Sequence, residues 1–293
     1  MIYHRFLSIF MFAALFACDR NTESADAYGN FEAVEVIISA ETQGRITDFP
    51  ALEGTSFSKG QVVASIDSMQ LYLKRKQLLS VLDALPAKIR TLEAQVRASE
   101  VQLANLRREK ERIDNLFEGG AATPKQQDDI NGQLALVKAQ MQAIESQKAS
   151  VFAERNTLQV QVEQVEDQIL RCAIKAPRDG MMLTKYKEAG EIVAPGQPLF
   201  KMANLDNITL RAYVSGNQIS EFTLGRTVTV SFDGPDGIQE TPGQVTWISP
   251  QAEFTPKIIQ TREERISLVY AIKITVPNTG QIKIGMPGEV NLP

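Results

Sequence analysis

A seven-residue repeat of apolar side chains runs through the middle of the chain for about a hundred residues. In its first part the repeat alternates steps of four and three, with apolar residues at 78, 82, 85, 89, 92, 96, 103, 106, 113 and 117, and with Ser99 and Lys110 at the two remaining positions. The same rhythm returns from Ile130 to Ile169. A 3.5-residue period sustained over many heptads is typical of a coiled coil, so this part of the chain is not expected to be a compact globular domain.

The repeat is interrupted once, at Gly119 and Gly120. Two helices that are joined by a turn of a few residues must run antiparallel, so residues 68–170 are predicted to form a helical hairpin with its tip at about 117–123. Each arm would be roughly 70 Å long at 1.5 Å per residue. A rod of this length would let the chain contact a distant partner. The alternative is a coiled coil that serves dimerisation. Pro86 lacks an N–H and is expected to kink or break the first arm.

The tip carries one residue that local structure explains and two that it does not. Thr123 fits a helix N-cap, with Pro124 at the first helical position and Gln126 completing a capping box. Arg112 and Leu116 share a face that lies about 100° from the apolar seam. These two residues are candidates for docking a partner, and an ordinary solvated face is the alternative.

The segments on either side of the hairpin resemble each other. Glycines recur at the same spacing in both segments, 136 residues apart: Gly44, Gly54 and Gly60 in the first, Gly180, Gly190 and Gly196 in the second. Short alternating strands surround these glycines, which suit tight turns. Neither segment has enough apolar residues for a core of its own. Residues 29–67 and 171–204 are therefore predicted to form one small β-sandwich that the hairpin interrupts.

The C-terminal segment, residues 205–293, reads as short alternating strands with regularly spaced turn residues, which predicts a small β-barrel with Trp247 in its core. The predicted fold class is therefore an elongated α+β protein. It consists of a split β-sandwich, an inserted coiled-coil hairpin and a barrel.

The N-terminus predicts export and a lipid anchor. An apolar run at residues 6–17 has the length of a signal-peptide core and is too short to span a bilayer. The run ends in Cys18, and this context resembles a bacterial lipobox. Residues 1–17 are then a signal peptide, Cys18 is acylated, and residues 18–28 are a polar tether. An uncleaved signal anchor is the alternative. By the same resemblance, Asp19 favours retention in the inner membrane.

Composition argues against several kinds of activity. His4 is the only histidine and would leave with the signal peptide, and Cys172 would then be the only free thiol. A zinc site, a Cys/His nucleophile and any other catalytic or metal-binding residue are therefore not expected. No cofactor is expected either. The net charge of -4 is too small to indicate a nucleic-acid partner.

The two glycine-containing repeats resemble the halves of a biotinyl/lipoyl domain, and a lipoyl domain split by a coiled-coil hairpin resembles the HlyD-type periplasmic adaptors, or membrane fusion proteins. The opening segment 29–46 and the return segment 173–182 are similar to the corresponding strands of that family. Its channel-docking motif is Arg, three residues, Leu, six residues and Ser, which Arg112, Leu116 and Thr123 match with Thr in place of Ser. The resemblance implies that these three residues contact a TolC-like outer-membrane channel.

The resemblance also implies further partners. Residues 254–274 are similar to a stretch in adaptors of ABC-type exporters, and there Thr261, Glu264 and Arg265 are candidates for contact with a transporter or a neighbouring protomer. A solvated hairpin is the alternative. The family resemblance implies a hexamer that is lipid-anchored on the periplasmic face of the inner membrane of a double-membrane bacterium. Adaptors of RND pumps usually continue past the final strand, whereas this sequence stops at Pro293, which favours an ABC-type transporter.

Three other functions remain open at this stage. They are an adaptor of an RND-type pump, a carrier-domain subunit of an enzyme, and a structural coiled-coil lipoprotein of the envelope. The exported substrate is not encoded in any of these features.

Overall fold

The computed structural model describes residues 25–235, 237–254 and 268–292. Cys18, Asp19, Thr261, Glu264 and Arg265 lie outside these described residues. Within the described ranges there are two long helices, α1 (Met69–Glu118) and α2 (Pro124–Arg171), and a short 3-10 helix at Ile219–Glu221. The strands before α1 are β1 (Ala27–Glu32), β2 (Glu35–Ser39), β3 (Gly44–Asp48), β4 (Ser56–Phe57) and β5 (Val62–Ile66). Those after α2 are β6 (Ala173–Lys175), β7 (Gly180–Lys185), β8 (Ile192–Val193), β9 (Pro198–Ala203), β10 (Asn207–Ser215), β11 (Thr227–Gly234), β12 (Gly237–Ile248), β13 (Glu253–Phe254), β14 (Leu268–Pro277) and β15 (Pro287–Asn291).

The predicted hairpin is present, and its arms meet along the predicted seam. The most buried seam residues are Leu85, Leu92 and Leu103 on α1 and Ile130, Leu134, Val137, Val151, Val162 and Val165 on α2. Two ion pairs cross between the arms, Arg75–Glu166 at 2.6 Å and Lys88–Glu154 at 3.1 Å. In the described part of the chain, neither helix has an apolar stretch long enough to cross a membrane.

The break expected at Pro86 does not occur, because α1 continues through this residue as a single helix. A proline removes the hydrogen bond to the carbonyl four residues earlier, here that of Leu82. Pro86 lies on an exposed face, whereas Leu85 and Ile89 on either side of it stay packed against α2. Seam packing on both sides therefore keeps the helix continuous despite the missing bond.

The two glycine-containing segments form one β-sandwich, as predicted, but their strands are interleaved. One antiparallel sheet has the order β2-β9-β7-β4 and the other the order β6-β5-β3-β8. Each sheet thus takes two strands from each segment. The common core likewise draws on both segments, with Ile46, Val63, Leu199 and Phe200 among its fully or nearly fully buried residues.

Four of the predicted glycines link the two segments in a reciprocal way. The amides of Gly54 and Gly190 donate to the carbonyls of Met182 and Ile46, and those of Gly60 and Gly196 donate to the carbonyls of Ala176 and Ala40, all at 2.8 Å. Each bond has its counterpart 136 residues away, so the sandwich has an internal pseudo-twofold symmetry. All four glycines have φ between 82° and 96°, the left-handed region that favours glycine in turns.

Gly44 and Gly180 are needed for a different reason. Neither has a positive φ. A Cβ on Gly44 would lie 2.6 Å from Ile66 Cγ2, and one on Gly180 would lie 2.6 Å from the carbonyl oxygen of Ala203. Both glycines therefore allow strands to approach closely within the sandwich.

The C-terminal strands close into a six-stranded barrel in the order β10-β1-β15-β11-β12-β14, with β14 pairing back to β10. Its core includes Phe31, whose ring meets Phe232 edge to face with centroids 6.3 Å apart. Strand β1 is therefore a barrel strand, whereas the sequence analysis placed residues 29–32 with the first half of the sandwich. The alternation of buried and exposed residues along β1 is compatible with either domain. Its hydrogen-bond pairing with β10 and β15 places it in the barrel.

Two smaller expectations also change. Residues 25–28 were assigned to the tether, but Ala25 and Ala27 are buried and the Asp26 amide donates to the Val290 carbonyl at 2.9 Å.

Trp247 does not fill the barrel core. Its side chain is 37% exposed on the outer surface, with the Lys273 ammonium 5.3 Å from its ring centroid.

Candidate docking site at the hairpin tip

The first arm ends in a Schellman motif that uses both glycines of the tip. Gly120 has a φ of 75° and donates its N–H to the Phe117 carbonyl at 3.0 Å. Ala121 donates to the Leu116 carbonyl at 2.8 Å. This pair of bonds satisfies carbonyls that a helix end leaves without partners, so the turn position that needs a left-handed residue is Gly120.

The second arm begins with the predicted capping box. The Gln126 amide donates to Thr123 Oγ1 at 3.4 Å, and the Thr123 amide donates to Gln126 Oε1 at 2.7 Å. Pro124 occupies the first helical position, where its missing N–H has no cost. Thr123 is exposed, so its side chain both caps α2 and lies on the surface of the tip.

Asp114 joins the two arms just below the turn. Its carboxylate accepts a hydrogen bond from Gln127 Nε2 at 3.0 Å and one from Lys110 Nζ at 2.7 Å. The bond from Gln127 and then that from Lys110 hold the pKa of Asp114 below its usual value. The sequence analysis did not identify this polar link, although the four-residue spacing of Lys110 and Asp114 is that of a helical ion pair.

Arg112 and Leu116 lie on the outer surface of the same tip, one helical turn apart. The Arg112 side chain is 68% exposed and pairs with Glu109, which raises the pKa of the Arg112 guanidinium through a hydrogen bond and charge attraction. Leu116 is 45% exposed, and Phe117 beside it is 38% exposed, so the last predicted seam position is only partly covered. An exposed cation and apolar surface lie together there, the combination that a protein contact uses.

At the opposite end, an ion pair from Arg171 links the hairpin to the sandwich. Arg171, the last residue of α2, contacts Glu41 at 2.6 Å and Asp167 at 2.7 Å. A cleft of about 670 Å³ lies beside these pairs, between the loop at residues 41–45 and the bases of both arms. The tip residues thus lie at the far end of a helical hairpin whose base contacts the β-sandwich.

Comparison with known proteins agrees with this architecture. The CzcB-like, barrel-sandwich hybrid domain family matches residues 34–204. A UPF0194 membrane protein of Acidithiobacillus ferridurans is 28% identical over 294 residues, which cover 91% of this chain and 86% of that protein. The periplasmic adaptor protein EmrA superposes with a TM-score of 0.53 at 17% identity, covering 92% of this chain and 98% of EmrA. MacA from Actinobacillus actinomycetemcomitans gives 0.54 at 20% identity, covering 91% and 76%.

The fold, a lipoyl-like sandwich with an inserted hairpin and a closed barrel, is that of the HlyD-type periplasmic adaptors. The chain belongs to the CzcB-like barrel-sandwich hybrid domain family. The predicted fold class, a split lipoyl-like sandwich with an inserted helical hairpin and a barrel, is therefore confirmed.

Proposed function

We propose that this protein is the periplasmic adaptor of a tripartite export system and bridges an inner-membrane transporter to a TolC-like outer-membrane channel. The observation that carries the proposal is the placement of Arg112, Leu116 and Thr123 on the exposed tip of a hairpin with 50- and 48-residue arms. Helices of these lengths extend about 70 Å from the sandwich. The three residues match the docking motif that the family resemblance implies.

Local structure accounts for only part of this motif, which favours docking over an ordinary solvated tip. Thr123 is required as a cap, but neither the turn nor the seam requires the Arg112 or Leu116 side chain. Leu116 serves the Schellman motif through its backbone carbonyl alone, and any residue can supply that group. An exposed leucine beside Phe117 at the far end of a rod is best explained by a partner that covers it.

At the base, the lipid on Cys18 would anchor the adaptor in a membrane, and Asp19 would favour its retention in the inner membrane. The transporter that it serves is proposed to be of the ABC type, from the similarity of residues 254–274 to ABC-exporter adaptors. Thr261, Glu264 and Arg265 would then contact the transporter or a neighbouring protomer, in a hexameric assembly. An RND-type transporter and a purely structural envelope role are the competing proposals, and copurification of the transporter separates them.

In-cell photocrosslinking from position 116 tests the docking role. A photoreactive residue replaces Leu116 in the full-length protein, and a matched variant carries it at the seam residue Val96. A crosslink to an outer-membrane channel from position 116 and none from position 96 is expected. If the acylated, expressed protein gives no channel crosslink from position 116, the tip is only a capped turn and the bridging role fails.

A further inference from the structure

The two ends of the barrel differ in what they carry. Strand β1 ends at Glu32 and β10 begins at Asn207, so the links to the sandwich leave the barrel at one end. The opposite, distal end holds the start of β1, the start of β14 and the connection of residues 216–226 between β10 and β11, because β10 pairs antiparallel with both β1 and β14. Two leucines are exposed there, Leu224 at 68% and Leu268 at 57%. The distal end therefore presents apolar side chains to its surroundings.

A tight turn holds Leu224 in a defined place at this end. The Arg226 amide donates to the Thr223 carbonyl at 3.1 Å, and Gly225 in the third position has a φ of 84°, as a type II turn requires. Leu224 is the second residue of this turn. Phe222, directly before the turn, is only 2% exposed and packs in the barrel core. The loop is thus anchored from inside the barrel while it exposes a leucine.

The turn itself does not require a leucine. Its backbone bonds are made by neighbouring groups, including the Gly225 amide, which donates to the Val245 carbonyl at 2.8 Å. A type II turn restricts its third position to glycine or asparagine and leaves the side chain of the second position free. A single exposed leucine is common on protein surfaces. The meaning of Leu224 therefore depends on what lies next to the distal end.

The N-terminal segment limits how far the distal end can lie from a membrane. The described chain begins at Ala25, which precedes β1 and is buried, and the next residue, Asp26, is bonded to β15 through the Val290 carbonyl. Only seven residue steps (25 minus 18) separate Ala25 from Cys18. A chain of that length spans at most about 25 Å when fully extended. A lipid on Cys18 would therefore keep the distal end within that distance of the bilayer.

We propose that the turn at residues 223–226 inserts Leu224 into the lipid bilayer that holds the anchor. Arg226 in the same turn suits the phosphate layer around the apolar chains, because a cation beside an apolar side chain is stable at a membrane interface. A tether alone leaves the barrel free to rotate, whereas this second contact restricts that rotation. The inference rests on the lipid anchor in the proposed function and does not depend on docking at the tip.

Quenching by brominated lipids tests the contact with the full acylated chain. Trp247 is the only tryptophan, so Trp247→Phe gives a background without tryptophan fluorescence. Leu224→Trp is added to this background, and the matched control adds Ile238→Trp, which lies beside the β11–β12 turn at the other end of the barrel and is 74% exposed. Each protein is reconstituted into vesicles of phosphatidylethanolamine and phosphatidylglycerol, with and without bromine on the acyl chains.

The fluorescence of the Leu224→Trp protein is expected to shift to the blue in vesicles and to be quenched by the brominated chains. That of the Ile238→Trp protein should change in neither way. No quenching at position 224, or equal quenching at both positions, would overturn the inference. Mass spectrometry of the same samples reports the lipid on Cys18. An acylated chain without quenching refutes only the membrane contact, whereas a chain that carries no lipid refutes the anchor in the proposed function and this inference with it.

Discussion

At the scale of single residues, the glycines of the sequence repeat fall into two groups that are glycine for different structural reasons. Gly60 and Gly196 adopt a positive φ with open space around the missing Cβ, whereas Gly44 and Gly180 have ordinary φ values and no room for a Cβ. The sequence predicted all of them as turn glycines. For Gly44 and Gly180 the reason for glycine is the close approach of a neighbouring strand, which only the folded sandwich reveals.

Gly60→Ala and Gly196→Ala are each expected to lower the free energy of unfolding by about 1 kcal/mol, because alanine is strained at positive φ. The two losses should be nearly equal, since the pseudo-twofold axis relates the sites. Gly180→Ala should cost more, because its Cβ would meet a backbone carbonyl instead of open space. Chemical denaturation of the three variants measures this order, and a Gly180→Ala loss smaller than the other two would contradict it.

Thr123 has two roles that substitution can separate. Thr123→Ser keeps the capping oxygen, whereas Thr123→Ala removes it and should destabilise the start of α2 by about 1 kcal/mol. Amide exchange at Gln126 and Gln127 reports the cap, and crosslinking from position 116 reports docking. We expect Thr123→Ser to keep both the slow amide exchange at the cap and the crosslink from position 116. Faster exchange in the serine variant than in the alanine variant would show that the hydroxyl does not cap the helix.

At the scale of elements, the hairpin is the part of the fold that sequence periodicity alone predicts best. The 3.5-residue repeat predicted both arms, the turn and the seam from Leu85 to Val165, because side-chain direction in a helix follows from position alone. Periodicity is less informative where a local rule and packing disagree. Pro86 should interrupt α1 by its backbone chemistry, and it is the packing of Leu85 and Ile89 on α2 that keeps the helix intact.

Two leucines on α2 offer a matched test of the seam. Leu134 is 7% exposed, and Leu136, two residues further on, is 60% exposed. Leu134→Ala is expected to cost about 2–3 kcal/mol from lost burial and the cavity that it leaves. Leu136→Ala should change stability by less than about 0.5 kcal/mol. Thermal unfolding at concentrations where the chain is monomeric compares them, and equal losses would mean that the seam is misassigned.

The Asp114 bridge should make the tip sensitive to acid. Its pKa is lowered in the folded hairpin, so the stabilisation is complete above the unfolded value of about 4 and is lost as the pH falls through the folded value. Amide protection factors for residues 112–127 should therefore drop on acidification more than those at the base. Asp114→Asn should remove this difference, and an unchanged acid response in that variant would exclude Asp114 as its source.

At the scale of the whole molecule, the length of the hairpin is the quantity that function depends on. Removing one heptad from each arm at matching heights, residues 92–98 and 143–149, preserves the seam and shortens the rod by about 10 Å. The shortened protein should fold and lose the channel crosslink from position 116. Removing residues 92–98 alone is the control for mismatched arms and should destabilise the hairpin itself. Retention of the crosslink by the shortened rod would show that reach is not limiting.

The sequence alone determined the elements of this protein and their order, namely a repeated glycine pattern, a heptad hairpin with a capped turn, and a run of short strands. These are local properties, set by side-chain spacing and backbone conformation within a few residues. Only the tertiary structure decided how distant segments pair. It placed β1 in the barrel, exchanged strands between the two halves of the sandwich, and put Trp247 on the outside. Such pairings depend on which partner strand completes the hydrogen bonds and buries the apolar face, and a strand's own alternation is compatible with more than one partner.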